Sequence, residues 1–198
     1  MIMPDQSYKG QANTADMLTR ILMSIALTGL APKSFYKESG RQNAHYVGVP
    51  VDVLAKTICG VHTSVHDTCK TYHSINYNKD AISLDSFVDW IESAGYPIHR
   101  FDDHSEWYER METKLKAMPE EIRRQSALDV LIAYKRQGRG GQNKIGASNF
   151  EQLVKELDNL SSLPSLSETY IHKYLNDCLL YTSPSPRDAT LSRMPSSA

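Results

Sequence analysis

Two cysteines and two histidines near the middle of the chain have a spacing that could bind a metal. Cys59, His62, His66 and Cys69 form the pattern C-x2-H-x3-H-x2-C. Thiolate and imidazole groups are the ligands that zinc takes in a tetrahedral site, so the four side chains could hold one zinc ion if the fold brings them together. The alternative is that they lie at a helix end and in the connection after it. One hypothesis is therefore that the chain is a small zinc-binding protein.

Two other groupings could do chemistry, and each has a simpler interpretation. The segment DDHSE at residues 102–106 could form an acid–base cluster, but the same residue types favour the solvated start of a helix. Four glycines between residues 138 and 146 lack the spacing of a dinucleotide-binding turn and follow a helix rather than a strand, so they predict a flexible loop. No Tyr-x-x-x-Lys pair occurs in the sequence.

Apolar residues recur at helical spacing through most of the chain. Asn13 or Thr14 is the predicted cap of a first helix, which Gly29 and Pro32 end. The other predicted helices are residues 50–61, 83–94, 105–118 and 119–132, and two that begin with capping boxes at Ser148 and Ser165. A chain with this many amphipathic segments is expected to bury helix faces against one another.

Short strands are predicted on either side of the helix that follows Ser83. Tyr72, Ser74 and Ile75 form the first, residues 97–101 form the second, and Gly95 provides a left-handed residue after the helix. A strand, a helix and a strand joined by tight connections are typical of α/β proteins. The sequence therefore predicts a helix-rich α/β fold.

Composition argues against several function classes. The 22 basic and 23 acidic residues give a net charge of −1, which argues against nucleic acid or an anionic membrane as the main partner. The longest apolar run, residues 21–31, is too short to span a bilayer. Outside the C-terminal tail the cysteines are Cys59 and Cys69, too few for a disulfide framework, and they favour a cytoplasmic location.

The sequence of residues 178–198 predicts a non-native tail. CLLYTSPSPRD at 178–188 and SRMPSSA at 192–198 match, in one reading frame, the translation of a transposase adapter used in DNA sequencing. With three prolines and no helical period, this stretch is predicted to be disordered and separable from residues 1–177. The alternative is an ordinary tail rich in serine and proline.

Five stretches of the remaining chain have a specific order and spacing. They are LTGLAPKSFY at 27–36, AHYVGVPVDVLAKTI at 44–58, ISLDSFVDW at 82–90, AGYPI at 94–98 and YIHKYLND at 170–177. Together they resemble the C-terminal part of the reductase domain of carboxylic acid reductases. The similarity covers nearly all of residues 1–177.

The resemblance implies a fold and a reaction. The fold is the C-terminal, substrate-side portion of an extended short-chain dehydrogenase, a Rossmann-type domain, with the nucleotide-binding half missing. In that family NADPH transfers hydride to an acyl thioester on the phosphopantetheine arm of a carrier domain, which releases an aldehyde. The implied partners are the carrier-bound thioester and the missing N-terminal half, with no nucleic acid, no membrane and no metal.

The resemblance also assigns site residues. MIMPDQSYKGQAN at residues 1–13 is similar to the family segment just after the catalytic tyrosine and lysine, so those two residues are expected upstream of Met1. The predicted contacts are Met1 and Ile2 for the cofactor, and Met3, Met17, Leu18 and Ile21 for the acyl substrate. Since methionine fills irregular apolar space, the stripe suits an acyl chain, although it could equally be ordinary core. The chain alone is expected to be inactive.

Other functions remain open at this stage. One is a non-catalytic module that docks an acyl carrier, and another is the related thioester reductase domain of a peptide synthetase or a fatty acyl-CoA reductase. Asp52 lies in a motif similar to one that bridges the two halves of extended dehydrogenases. The alternative for Asp52 is a plain acid at a helix N-terminus.

Overall fold

A computed structural model of the chain describes residues 2–10, 12–38, 43–63, 70–78, 80–140, 145–158 and 163–182. The strands within these ranges are β1 (Ile2–Met3), β2 (Leu30–Pro32), β3 (Val49–Pro50) and β4 (His99–Phe101). The helices are α1 (Met17–Thr28), α2 (Val51–Thr63), α3 (Leu84–Ser93), α4 (His104–Lys116), α5 (Glu120–Gln125), a 3₁₀ helix (Ala127–Tyr134), α6 (Ser148–Asp158) and α7 (Glu168–Thr182). The fold is helix-rich α/β, as the sequence predicts. No helix in the described ranges is long and apolar enough to cross a membrane.

The strand pairs of the described residues are both parallel. β1 pairs with β3, with Ile2 opposite Val49. β2 pairs with β4, with Leu30 opposite His99. Because parallel strands need a long crossover, each pair joins segments that are far apart in sequence. The predicted strand at 97–101 is confirmed over His99–Phe101, but its partner is β2.

The strand predicted at residues 72–75 is wrong. Residues 70–78 have no regular secondary structure. Polar side chains satisfy the backbone nearby instead: Asn76 Oδ1 accepts the N–H of Asn78 at 3.0 Å, and Asp80 Oδ1 accepts the N–H of Ile82 at 3.1 Å. Such local turns compete with a strand ladder, so the β propensity of the neighbouring residues does not decide the structure.

The main hydrophobic core is built around α1. This helix contacts α3, α4, α7 and the 3₁₀ helix, because its apolar residues recur on one face. The most buried members of the core, none more than 1% exposed, include Ile21, Leu22, Ile25, Phe87, Ile91, Trp107, Met111 and Leu115. A second, smaller cluster joins β3, α2 and α6 through Val49, Val53, Phe150, Val154 and Leu163.

Capping residues determine where the first helices begin. α1 follows Asp16, whose carboxylate accepts the N–H of Leu18 at 2.9 Å, rather than the predicted Asn13 or Thr14. An aspartate directly before the apolar stripe is as good a cap as an asparagine and lies closer to the residues that the core buries. Ser83 caps α3 as predicted, and its N–H donates to Ser86 Oγ.

The predicted caps of the last two helices are displaced. α6 begins at Ser148 itself, and the carbonyl of Ala147 accepts the N–H of Glu151 at 2.8 Å. α7 begins at Glu168, and Ser167 Oγ accepts the N–H of Tyr170, so Ser165 is not its cap. Leu166 is buried in the main core, which keeps Ser165 in the preceding connection.

Gly29 joins the end of α1 to the start of β2. It has a φ of 67°, its N–H donates to the carbonyl of Ile25, and its own carbonyl accepts the N–H of His99. A Cβ at this position would lie 2.8 Å from the carbonyl oxygen of Pro97. Both the left-handed backbone and the close approach therefore require glycine here.

The last described helix extends past the predicted start of the tail. α7 continues to Thr182, and Cys178 is 2% exposed. Ile171, Tyr174 and Cys178 continue one buried face of α7 into the main core, so residues 178–182 are helical, while the non-native origin of the tail stays a prediction. Residues 183–198 lie outside the described residues.

Candidate functional site

The residues predicted to meet the cofactor lie at and before β1. Met1 lies outside the described residues. Ile2 is 56% exposed. Met3, predicted for the substrate, is 2% exposed, and a Cβ on Gly48 would come within 2.9 Å of its Cγ. Ile2 is thus accessible to a ligand, whereas the Met3 side chain packs inside the chain.

The predicted substrate wall on α1 divides into two parts. Met17, in the first turn, is 36% exposed. Leu18 is 2% exposed and Ile21 is 0% exposed, both in the main core. Since these two side chains are buried by this chain alone, no further half of a domain could bring a ligand to them without unpacking the core. The structure therefore places Leu18 and Ile21 in the core, and Met17 remains the candidate contact.

Three side chains on one face of α7 bind the backbone of residues 4–10. We call Tyr170, Lys173 and Asp177 the α7 clamp, and residues 4–10 the 4–10 segment. Tyr170 Oη donates to the carbonyl of Pro4 at 2.7 Å. Lys173 Nζ donates to the carbonyl of Asp5 at 2.8 Å and to the carboxylate of Asp177 at 2.5 Å.

The far end of the 4–10 segment is held by the same clamp. The N–H of Gly10 donates to Asp177 Oδ1 at 3.0 Å. Gly10 has a φ of 75°, a conformation that glycine adopts without strain. Sequence reasoning missed the clamp, although the spacing of residues 170, 173 and 177 places three polar groups on one helical face.

Within the 4–10 segment, Asp5 forms a local turn. Its Oδ1 accepts the N–H groups of Ser7 and Tyr8, both at 2.7 Å. The hydrogen bond from the Tyr8 N–H, with smaller help from Ser7, lowers the pKa of the Asp5 carboxyl below its usual value. The Tyr8 side chain is 72% exposed. The segment therefore has an ordered backbone that presents an aromatic side chain to solvent.

A groove of about 210 Å³ opens at the carboxyl end of the β1–β3 pair. Its lining includes Gln6, Pro50, Tyr170, Lys173 and residues 164–167. In open α/β sheets, ligands bind outside the carboxyl ends of the strands. The location of the groove therefore agrees with a site on the 4–10 side of the molecule.

A larger, open groove of about 880 Å³ lies between β4 and α4. Its lining mixes Glu106 and Glu109 with Arg110 and Lys114. None of the predicted site residues lines either groove, but the larger groove runs beside β4 rather than beyond its carboxyl end. We therefore place the candidate site at the 4–10 segment.

The turn at residues 32–36, at the end of the LTGLAPKSFY stretch, is also held by a buried aspartate. Asp85, 1% exposed in α3, accepts the Ser34 hydroxyl at 2.6 Å and the Phe35 N–H at 2.8 Å. Gly138 belongs to the same contact, because its N–H donates to the carbonyl of Phe35 at 2.8 Å. The first part of the predicted glycine loop is thus tied to this turn, while residues 141–144 lie outside the described residues.

Asp52 connects the start of α2 to the 4–10 segment. Its Oδ2 accepts the side-chain amide of Gln6 at 2.9 Å. Its Oδ1 is buried and has no hydrogen-bond partner among the described residues. An acceptor with unused capacity beside the groove fits the predicted bridging role of Asp52, which stays a prediction.

Buried tyrosines surround the N-terminus of α1. Burial raises the pKa of Tyr46, Tyr170 and Tyr174 well above the usual value, and raises that of Tyr134 to about 12. The Tyr174 hydroxyl also hydrogen-bonds Thr19. Burial thus favours the protonated phenol at these four positions, and the hydroxyl of Tyr170 is already committed to the Pro4 carbonyl.

The zinc and acid–base hypotheses have different outcomes. His66 and Cys69 lie outside the described residues, and within the described part no group of three His, Cys, Asp or Glu residues could hold a metal ion. The zinc pattern is therefore not tested. The segment 102–106 is the start of α4, as predicted: Asp103 Oδ1 accepts the N–H of Ser105 at 2.8 Å, and Asp102 pairs with Lys33 at 2.7 Å.

The chain is similar in sequence and in structure to known reductases. No protein-family model matches the chain. The carboxylic acid reductase of Mycobacterium marinum is 38% identical over 186 residues, covering 91% of this chain and 16% of that protein. The solved reductase domain of a nonribosomal peptide synthetase from Mycobacterium tuberculosis has a TM-score of 0.81 at 36% identity, covering 92% of this chain and 45% of that one. Along nearly its whole length, the chain is therefore similar to carboxylic acid reductases and to the reductase domain of a peptide synthetase.

This similarity confirms the resemblance and the fold class predicted from the sequence. The reductase-domain fold is that of the extended short-chain dehydrogenases. The isonitrile lipopeptide synthase of Mycobacterium tuberculosis is also related, at 44% identity over 140 residues, covering 67% of this chain and 6% of that protein. The chain thus spans less than a fifth of these curated relatives and less than half of the solved reductase domain.

Proposed function

We propose that the chain is the substrate-side part of a reductase domain that uses NADPH to reduce a carrier-bound acyl thioester to an aldehyde. The observation that carries this proposal is the similarity to carboxylic acid reductases over 91% of the chain. The small share of those proteins that the chain covers supports a second, nucleotide-binding half outside it. The chain alone is then inactive, and the reaction takes place in the cytoplasm.

We infer that the described residues do not by themselves hold the pyrophosphate of the nicotinamide nucleotide. Gly138 lies after the 3₁₀ helix and pairs with Phe35, so it does not form a strand-to-helix turn for a pyrophosphate. The sequence also lacks a Tyr-x-x-x-Lys pair. We therefore propose that NADPH binds mainly to the other half and meets this chain at Met1 and Ile2.

The proposed role of this chain in the reaction is to form one wall of the substrate site. Asp85 fixes the turn at 32–36, and the α7 clamp fixes the 4–10 segment. Met17 is the exposed member of the three α1 residues predicted to contact the acyl chain. Together these groups support a rigid wall against which a thioester on a phosphopantetheine arm could be oriented.

The test is an activity assay on the complete domain. The full reading frame is recovered, the domain is purified, and NADPH oxidation is followed with acyl thioesters of phosphopantetheine as substrates. We expect aldehyde formation in step with NADPH oxidation. If the complete domain binds a loaded carrier but oxidises no NADPH, the chain belongs to a docking module and the proposal fails.

A second candidate function is the thioester reductase of a peptide synthetase. The 44% identity to the isonitrile lipopeptide synthase of Mycobacterium tuberculosis favours it. The chemistry is the same, but the thioester would carry an acyl-peptide product instead of a free acid's acyl group. A comparison of kcat/KM for simple acyl and peptidyl thioesters in the complete domain distinguishes the two.

A further inference from the structure

The α7 clamp buries an ion pair that the helix does not need for its own stability. Asp177 is 2% exposed at its side chain and Lys173 is 19% exposed. Removing two charges from water is costly unless their remaining hydrogen-bonding groups are satisfied. Here the N–H of Gly10 satisfies Asp177, and the carbonyl of Asp5 satisfies Lys173. The pair and the 4–10 segment therefore stabilise each other.

The contacts hold the backbone of the segment and leave its side chains available. All three contacts from the clamp to the segment go to main-chain atoms of Pro4, Asp5 and Gly10. Between these fixed points the Asp5 turn presents Tyr8, which is 72% exposed. Backbone held at both ends gives an exposed aromatic side chain a defined position without burying it.

The segment also lies where a ligand is expected. It leaves β1 at the carboxyl end of the β1–β3 pair, and Gln6, Tyr170 and Lys173 line the groove there. An aromatic ring on an ordered segment beside such a groove offers contact area with only two torsions to fix. This combination suits a long, flexible, largely apolar substrate.

We propose that Lys173 is a positioning residue of the reductase site, which acts through the 4–10 segment to hold Tyr8 against the carrier-bound thioester. The inference rests on the proposed function, since it assigns a role to the clamp in that reaction. Lys173 borders the groove, but its ammonium donates to the Asp5 carbonyl and the Asp177 carboxylate, so its proposed role is structural support. It sets the position of the backbone that carries the contact residue.

The test uses the complete reductase domain and four variants. Lys173→Met keeps the apolar stem but removes the donors to Asp5 and Asp177, and Lys173→Arg keeps donors. Tyr8→Ala removes the proposed contact directly, and the double variant joins Tyr8→Ala with Lys173→Met. The matched control is Lys155→Met, because Lys155 also pairs with an acid one turn earlier, Glu151 at 2.8 Å, but on the exposed face of α6.

We expect Lys173→Met and Tyr8→Ala each to raise the KM for the acyl thioester about tenfold or more. The reason is that an enzyme loses at least this factor when a group that orients the substrate is displaced by a small distance. The KM for NADPH should change by no more than about threefold. Lys173→Arg should recover most of the loss, and Lys155→Met should stay within about twofold of the wild type. Because both single changes affect one contact, the double variant should be little worse than either alone.

Several outcomes would overturn the inference. A Tyr8→Ala variant with unchanged KM excludes the contact, and this exposed substitution does not depend on the stability of the clamp. Fully additive effects in the double variant, or no recovery with Lys173→Arg, exclude the proposed connection between the two residues.

Failure of the proposed function would be visible separately. A wild-type domain that reduces no thioester refutes the function, and hydrogen exchange then tests the clamp alone. Faster exchange confined to the amides of residues 4–10 in Lys173→Met supports the holding role, whereas unchanged exchange there refutes it.

Discussion

Replacement of Gly29 by alanine measures how much the close approach between α1 and the β2–β4 pair matters for stability. Gly29 has a φ of 67°, and a Cβ there would lie 2.8 Å from the carbonyl oxygen of Pro97. Two costs follow. The left-handed backbone costs a residue with a Cβ about 1–2 kcal/mol. The contact also requires the backbone at Pro97 to move, because that oxygen is not the end of a flexible side chain.

The second cost can be estimated from overpacking. Introducing a methyl group into a close contact costs about 1–3 kcal/mol when the neighbour must shift. Gly29→Ala should therefore lower the free energy of unfolding by about 2–5 kcal/mol, the sum of the two terms. Because the Gly29 carbonyl also accepts the N–H of His99, the strained region includes the β2–β4 pairing.

Two other glycines separate these costs. Gly95 has a φ of 94° and nothing within 4 Å of an added Cβ, so Gly95→Ala carries only the backbone term, about 1–2 kcal/mol. Gly146 has open space and no left-handed backbone, so Gly146→Ala is the baseline. The three variants are compared by urea unfolding of the complete domain, monitored by circular dichroism.

The decisive quantity is the difference between Gly29→Ala and Gly95→Ala. We expect Gly29→Ala to be less stable by about 1–3 kcal/mol. Equal destabilisation would show that the Pro97 carbonyl moves without cost, and our estimate of the contact would be refuted. A stable Gly29→Ala variant would also contradict the left-handed conformation at this position.

Four further predictions concern the site and the C-terminus. In the complete domain, Met17→Trp should shorten the range of accepted acyl chains at about 1 kcal/mol per methylene and leave NADPH affinity within a few-fold; an equal loss for all chain lengths with a lower melting temperature would place Met17 in the core. The 198-residue chain alone should show no micromolar NADPH binding in calorimetry, and such binding would refute our assignment of the cofactor site. A thiol reagent at mildly alkaline pH should label exposed Cys59 before Cys178, whose pKa burial raises to about 12, and equally fast labelling would contradict the burial. Deletion of residues 183–198 should leave the melting temperature unchanged, whereas deletion from Cys178 should lower it; identical melting would restore the tail boundary at Cys178.

Most of the helices could be predicted from the sequence because they have one apolar face, but the helix predicted over 119–132 is broken at Ser126 into α5, which buries no residue, and the 3₁₀ helix. The stripe on α1, the Ser83 cap of α3 and Gly95 follow from local chemistry, and the structure confirms them. The strands could not be predicted equally well. Strands of two or three residues have little sequence signal, and β4 pairs with β2, whose residues lie about 70 positions earlier.

The candidate site, like the strands, could be predicted from the sequence only in part. Periodicity identifies Leu18 and Ile21 as one apolar face, but it does not distinguish a pocket wall from a core, and both side chains are buried. The clamp was missed for a different reason. Its partners are backbone atoms, which have no residue identity in the sequence, and Gly10 and Asp177 are 167 positions apart.

That separation also has a consequence for how the protein is made. More than 160 residues separate the 4–10 segment from the side chains that hold it, so the segment leaves the ribosome well before α7 does. Contacts between distant residues form late in folding, and chains emerge from the ribosome from the N-terminus. The 4–10 segment therefore has no clamp until α7 has been synthesised. A polypeptide that stalls before α7 lacks all three hydrogen bonds to this segment, so the backbone that carries Tyr8 is not yet fixed.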